Sequence, residues 1–242
     1  MDMVGWLSET ERRGWRVAVT WGTVEGVTLC RADCPVGRRT SQRARQRRLR
    51  RAARLLLQRG CRRVLTTPDF DGWPTLEAAG LRRVEPGPLC GALAARLALA
   101  WLERAAIPPE RATVALAGRR VDRDLFEAAA ALAPRVRRLA VEVPGEGAEL
   151  LRCLAEEYGL PALEGRAGAD VTLCFPGAAG EGSGALMLWG SRPDLDGLVL
   201  TAGDRVLPGE LDPLPLLQIL WEHGVLLGAE VGIRPGVSGQ IT

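Results

Sequence analysis

The sequence predicts an α/β protein, with a parallel sheet and flanking helices in the C-terminal half and a smaller α/β portion in the N-terminal half. Three observations predict it. From Thr113 onward, short aliphatic or β-branched runs alternate with amphipathic segments of about a dozen residues, the rhythm of right-handed βαβ crossovers over a parallel sheet. Hydrophobic residues make up 47% of the 242, enough to fill a core. Aromatics are only 5%, and the aliphatic residues are mostly Ala, Leu and Val, a mix that suits helices and short buried strands better than a β-sandwich.

In chain order, Trp15–Trp21 (WRVAVTW) alternates and carries β-branched residues, and Gly26–Cys30 (GVTLC) is a second short run; together they predict a hairpin. Cys34-Pro35-Val36-Gly37 breaks the pattern, after which Thr40 or Ser41 can cap a helix that ends at Gly60. A short strand over Arg63–Thr67, a turn at Pro68-Asp69, a short helix ending near Gly80 and a strand over Leu81–Val84 follow. Pro88 opens a long Ala/Leu helix that stops before Ile107-Pro108-Pro109. Its stretch Leu89–Leu102 is the most apolar in the chain, but Arg96 interrupts it and it falls short of the ~18 residues of a membrane span. It reads as a buried helix.

Pro108-Pro109 marks the expected boundary between an N-terminal portion over 1–107 and a domain over 108–231, with a flexible tail over 232–242 that is rich in Gly. Beyond the boundary the sequence predicts strands at Thr113–Ala117 (TVALA), Val136–Val143, Pro161–Leu163 and Asp170–Phe175 (DVTLCF). Helices are expected at Asp122–Ala133 and Glu146–Tyr158. Ala185–Trp189 and Leu198–Leu200 are further strand segments, and Leu214–His223 is a closing helix. Arg51–Thr67 and Leu125–Val143 share a rhythm of helix, break, Arg-Arg and strand, which a duplication would leave and which the αβα pattern by itself largely produces.

In layout, residues 111–175 resemble the nucleotide-binding domain of the shikimate dehydrogenase and glutamyl-tRNA reductase families, and so imply a Rossmann-like unit. The resemblance rests on element order and covers under a third of the chain. Those families carry G-x-G-x-x-G/A after the first strand, where the glycines let a pyrophosphate approach a helix N-terminus. Here the turn reads Gly118-Arg119-Arg120-Val121-Asp122. Only the first glycine is present, and Asp122 adds negative charge beside the anion site while capping the helix. Glu142 stands about 20 residues on, where an acid would bind a ribose hydroxyl. If a nucleotide is bound, Gly118, Arg119 and Glu142 are its candidate contacts; the missing glycines predict that no cofactor is held.

Charge singles out a second feature. All 32 basic residues are arginine, a usage that reads as codon bias alongside the abundant Ala and Gly. Twelve of the 32 lie between Asp33 and Asp69 with no acid among them, leaving 20 arginines against 29 acids, a net −9, elsewhere. On a helix at 100° per residue, Arg43, Arg47, Arg50, Arg51 and Arg54 share one face, while Leu49, Ala52, Ala53 and Leu56 form an apolar stripe that can pack on a core. Such an arginine face can meet nucleic acid, an anionic membrane surface or an acidic protein, or stand as a solvated face balanced by acids elsewhere. No aromatic interleaves the arginines, so base stacking finds no support in the sequence.

Other chemistry is sparse. Met1–Thr10 lacks the basic start and apolar core of a signal peptide, so a reducing cytoplasmic setting with six free thiols is expected. Cys30 and Cys34 form an isolated C-x3-C pair without the second pair a zinc site needs, and Cys153 and Cys174 read as small core residues. Gly177–Gly184 (GAAGEGSG) leads into a strand rather than a helix and lacks Gly-Lys-Ser/Thr, so it reads as a loop; Asp194-Leu195-Asp196-Gly197 reads as a turn. The single histidine, His223, follows Glu222 at a helix C-terminus, where a capping or surface role is expected. No catalytic residue emerges. The sequence thus reads as a non-catalytic binding or regulatory protein that uses a degenerate Rossmann-like unit and the arginine helix. The alternatives are an NAD(P)-dependent oxidoreductase with an atypical phosphate turn and a nucleic-acid-associated protein.

Overall fold

The computed structural model describes residues 3–11, 16–159, 162–180 and 182–236. The expected strand start at Trp15, Pro161, Glu181 of the glycine loop and the tail beyond Gly236 lie outside them. The chain forms two compact units, Met1–Val84 with Asp204–Leu227, and Glu85–Gly203 with Gly228–Thr242. Parallel sheets flanked by helices build an α/β fold.

The first unit begins with β1 (Met3–Thr10), β2 (Ala18–Val24), β3 (Val27–Pro35), α1 (Gln42–Gln58), β4 (Cys61–Leu65), α2 (Trp73–Glu77) and β5 (Arg82–Arg83). Its sheet runs β2-β3-β1-β4-β5. The β2–β3 hairpin is antiparallel and turns at Glu25-Gly26, where Gly26 has φ +84°. Every other neighbouring pair is parallel. The central strand is β1, which the alternation rule did not mark. Ser41 caps α1, its hydroxyl accepting from the Ala44 N–H at 3.3 Å, and Gly60 in the left-handed region (φ +83°) ends it. The buried stripe is Leu49, Ala52, Ala53 and Leu56, as the periodicity predicts; it packs with Leu7, Cys30, Ala32, Cys61, Val64 and Leu76. Leu56 lies over Gly5 of β1, where a Cβ would come within 3.2 Å of its Cδ1.

The second unit contains α3 (Gly87–Ala92), α4 (Ala94–Arg104), β6 (Thr113–Ala117), α5 (Arg123–Leu132), β7 (Arg138–Glu142), α6 (Gly147–Tyr158), β8 (Ala162–Glu164), β9 (Val171–Cys174), β10 (Ala185–Met187) and β11 (Leu198–Thr201). The expected long Ala/Leu helix is two helices, broken at Leu93. They carry the second unit's core: Leu97, Ala98 and Leu102 are buried, and α4 packs on α5 and β9. That packing is why the units divide after Val84 and not at Pro108-Pro109. The five strands are all parallel in the order β10-β9-β6-β7-β8. This is the doubly wound order, with the chain reversing direction across the sheet between β6 and β9. Asp122 caps α5 by accepting from the Leu125 N–H at 3.0 Å, and Gly159 (φ +66°) ends α6.

The chain then returns to the first unit through α7 (Pro213–Glu222). The Asp212 N–H donates to the Thr66 carbonyl at 2.9 Å, and Arg63 holds Glu222 through two bonds of 2.8 and 2.7 Å. It ends in the second unit with β12 (Gly232–Pro235), antiparallel to β11. Residues 232–235 are therefore a paired strand and not a frayed tail. Arg96 of α4 fixes the approach by donating to the carbonyls of Gly228 and, at 2.6 Å, Val231. No helix among the described residues is long and apolar enough to cross a membrane.

Candidate functional site

The arginines of α1 divide by the side of the helix they occupy. Arg45 reaches the C-terminal end of the central strand β1 and holds Glu9 in a fork, Nε–Oε1 2.6 Å and Nη2–Oε2 2.8 Å, with Asp71 on the same guanidinium. That contact holds the Asp71 carboxyl below its ordinary range. Arg48 donates to the Pro35 carbonyl and to Thr40 Oγ1. Arg43, Arg47, Arg50, Arg51 and Arg54 are all exposed, and among the described residues none of the five meets a carboxylate. Among the described residues the acid excess elsewhere does not reach this face. Beyond the C-terminal end of α1, on a different side from these five, the C-cap Arg59 guanidinium sits 5.9 Å from the ring of Trp21, a β2 residue at 52% exposure.

The carboxyl end of the second sheet is where a doubly wound fold binds a nucleotide. At the turn between β6 and α5 this position is taken up by the protein's own groups. The Arg119 N–H donates to the Pro176 carbonyl at 3.3 Å, joining the ends of β6 and β9 across the reversal point. A Cβ on Gly177 would come within 2.9 Å of Arg119 Cβ, so the two residues are packed together. Glu146, just ahead of α6, accepts from the Val121 N–H at 2.5 Å. A carboxylate thus occupies an amide at the turn into α5, where phosphate oxygens would need amides. Glu142 carries an ion pair, with Arg166 Nε 3.4 Å from its Oε2. Of the three residues the resemblance singles out, Gly118 is held between Leu125 and Phe175, Arg119 bridges the mouth, and Glu142 is ion-paired.

Beside this closed corner lies an open crevice of about 450 Å³, at the carboxyl ends of β9 and β10 and against α3 and the first turn of α5. Its lining includes Phe175, Pro176, Pro88 and Trp189, with the carboxylates Glu85 and Asp124. Trp189 is 37% exposed, and its Nε1–H donates to the Ala178 carbonyl at 3.2 Å. Asp124 is half-buried, and among the described residues no hydrogen bond or ion pair reaches its carboxylate. Burial, followed by the nearby Asp122 and Glu127, holds its carboxyl above the ordinary range. It rests over Gly91 of α3, where a Cβ would come within 2.5 Å of Oδ2. Periodicity did not single out these residues. The two local signals are a second acid two residues after the Asp122 cap and a glycine inside an Ala/Leu helix.

The remaining candidates are structural. Cys30, Cys34, Cys61, Cys90 and Cys174 are buried thiols. Cys153, expected in the core, is exposed, because it follows the buried pair Leu150-Leu151 round to the outer side of α6. His223 is the C-cap residue of α7; rather than standing on the surface, its Nε2 is buried without a hydrogen-bond partner among the described residues. Asp196 ties a turn, accepting from Trp101 Nε1–H at 2.7 Å and from the Gly184 N–H at 2.9 Å.

No protein-family model matches this chain, and no curated protein matches it. Among solved structures it is similar to L-tryptophan dehydrogenase from Nostoc punctiforme, at 17% identity and a TM-score of 0.31, over 62% of this chain and 44% of that one. The chain therefore spans less than half the length of that enzyme.

Proposed function

We propose that this is a non-catalytic binding protein that engages the phosphate backbone of nucleic acid through the outer face of α1. The observation that carries the reading is the set of five exposed arginines, Arg43, Arg47, Arg50, Arg51 and Arg54, which share one face without a carboxylate partner among the described residues. They span twelve positions, eleven rises or about 16 Å of helix, so they present a row of charge and not a point. Membrane insertion is disfavoured because the apolar stripe that would enter a bilayer is committed to the core. A nucleic acid is favoured over an acidic protein by Trp21, an exposed indole beside Arg59 that offers a base-stacking surface. An oxidoreductase reading is disfavoured by the carboxylates of Glu146 and Asp122 at the turn where a dinucleotide would place its phosphates.

Fluorescence anisotropy with mixed-sequence single-stranded and duplex DNA over a range of salt tests the reading. Five phosphate contacts give a log–log salt slope of about −4.5 on duplex. Changing Arg47, Arg50 and Arg54 to Gln flattens it by about 2.7 without unfolding the protein, since exposed charges contribute ~0–1 kcal/mol each. Trp21→Ala weakens single-strand binding more than duplex binding. Absence of binding at 50 mM salt, or an unchanged slope in the triple variant, rejects it. A low-micromolar dissociation constant for NAD(H) or NADP(H) by calorimetry would favour the oxidoreductase instead.

A further inference from the structure

We propose that the crevice at the carboxyl ends of β9 and β10 binds a small organic cation, an amine carrying an apolar body, with Asp124 as the counter-ion. The proposal concerns the second unit and stands independently of the arginine face on the first. A cavity of about 450 Å³ lies in the size range of small-molecule sites, which pair apolar walls with a few convergent polar groups. Phe175, Pro88, Pro176 and Trp189 supply the walls, and the two charged side chains that line it, Glu85 and Asp124, are both acids. Neither an anion nor a nucleotide phosphate suits that lining. A neutral apolar ligand would leave a half-buried carboxylate without a partner, which costs free energy. An ammonium group satisfies it, and an aromatic wall adds attraction for a cation.

The surroundings of Asp124 point the same way. Its carboxylate is set into the cavity wall by the absence of a side chain at Gly91. Among the described residues no hydrogen bond or ion pair reaches it, while the acids Asp122 and Glu127 lie close by. Asp124 stands in the first turn of α5, where the helix dipole favours an acid, but the capping bond there is made by Asp122, which takes the Leu125 N–H. Asp124 instead keeps its acceptor capacity free on the cavity side of α5. The crevice also lies where open parallel sheets present ligand sites, at the strand carboxyl ends.

The test uses the full chain and three isosteric probes, phenethylamine, 2-phenylethanol and phenylacetate, with affinities from ligand-observed NMR titration. The amine is expected to bind at least about tenfold tighter than the alcohol, and the acid most weakly. Asp124→Asn brings the amine to the level of the alcohol and leaves the alcohol unchanged. Asp124→Glu keeps the preference for the amine and covers the case of a misfolded Asn variant. Gly91→Ala, which crowds the carboxylate, weakens the amine selectively. Changing Arg47, Arg50 and Arg54 to Gln leaves all three affinities unchanged, which separates this site from the arginine face. A preference for the acid, an Asn variant that retains the amine preference, or failure of all three probes to bind at millimolar concentration overturns the proposal.

Discussion

Leu56→Ala tests whether α1 is held to its sheet by the packing described, and Gly5 makes the test specific. Leu56 is 0% exposed, and the substitution removes three buried carbons, worth about 2.4 kcal/mol in transfer free energy at ~0.8 kcal/mol each. A cavity contribution adds to this where the site cannot collapse. Here the facing position is a glycine on the central strand, with no side chain to move into the void, so the total should reach about 3–4 kcal/mol. Gly5→Ala alone should also destabilise, by about 1 kcal/mol, because the new Cβ would lie 3.2 and 3.3 Å from the Leu56 methyls and 3.4 Å from Val64. In the double variant those methyls are gone and the same Cβ fills part of the cavity. The two changes should therefore be non-additive, with the double variant at least ~0.5–1 kcal/mol more stable than the sum predicts. Urea denaturation followed by far-UV circular dichroism and tryptophan fluorescence measures all four corners of the cycle. Additivity within ~0.3 kcal/mol, or a Leu56→Ala cost below ~1.5 kcal/mol, would refute the packing argument.

Two further outcomes are expected. Native protein at pH 8 should react rapidly with Ellman's reagent at Cys153 alone and release all six thiols only on denaturation, since the other five are buried and burial pushes Cys34 to about 11 and Cys90 to about 12. Asp124→Asn should raise the Tm at pH 7. The raised carboxyl means the folded state disfavours the ionised form, a penalty present above the folded pKa and absent below the unfolded value of about 3.9. The gain should therefore shrink as the pH falls through that window. Glu85, Asp122, Arg123 and Glu127 are the ionisable groups around it. A Tm lowered at pH 7 would show that the carboxylate serves the fold.

What the sequence announces is what local physics determines. Helix α1 is legible because its cap, its exit glycine and its apolar stripe all lie within 20 residues. The β6-α5-β7-α6 succession is legible because propensity changes sharply at each boundary. Strand β1 is not, since Gly5 interrupts its alternation, Ser8-Glu9-Thr10 make its end polar, and the partners that bury it arrive only with β3 and β4. Residues 232–235 look like a tail because two of the four are Gly and Pro, yet pairing with β11 is decided by tertiary contact. The sites divide in the same way. The arginine face follows from spacing alone, whereas Glu146 reaching Val121 across 25 residues, Asp124 lying over Gly91, and Trp21 beside Arg59 are all products of the finished fold.

The path of the chain between its two units sets an order on biosynthesis. Residues 85–203, inserted between the two pieces of the first unit, contain the whole parallel sheet of the second. At ~5–20 residues per second, a ribosome takes about 6–24 s to make them. Throughout that interval β1–β5 stand without α7, and by its end the inserted sheet has every strand it needs. The nascent chain therefore has the strands of both sheets before α7 exists, and the first unit gains its last helix after the second sheet is complete. During the wait the surface that will receive α7 is open to chaperones or to other nascent chains.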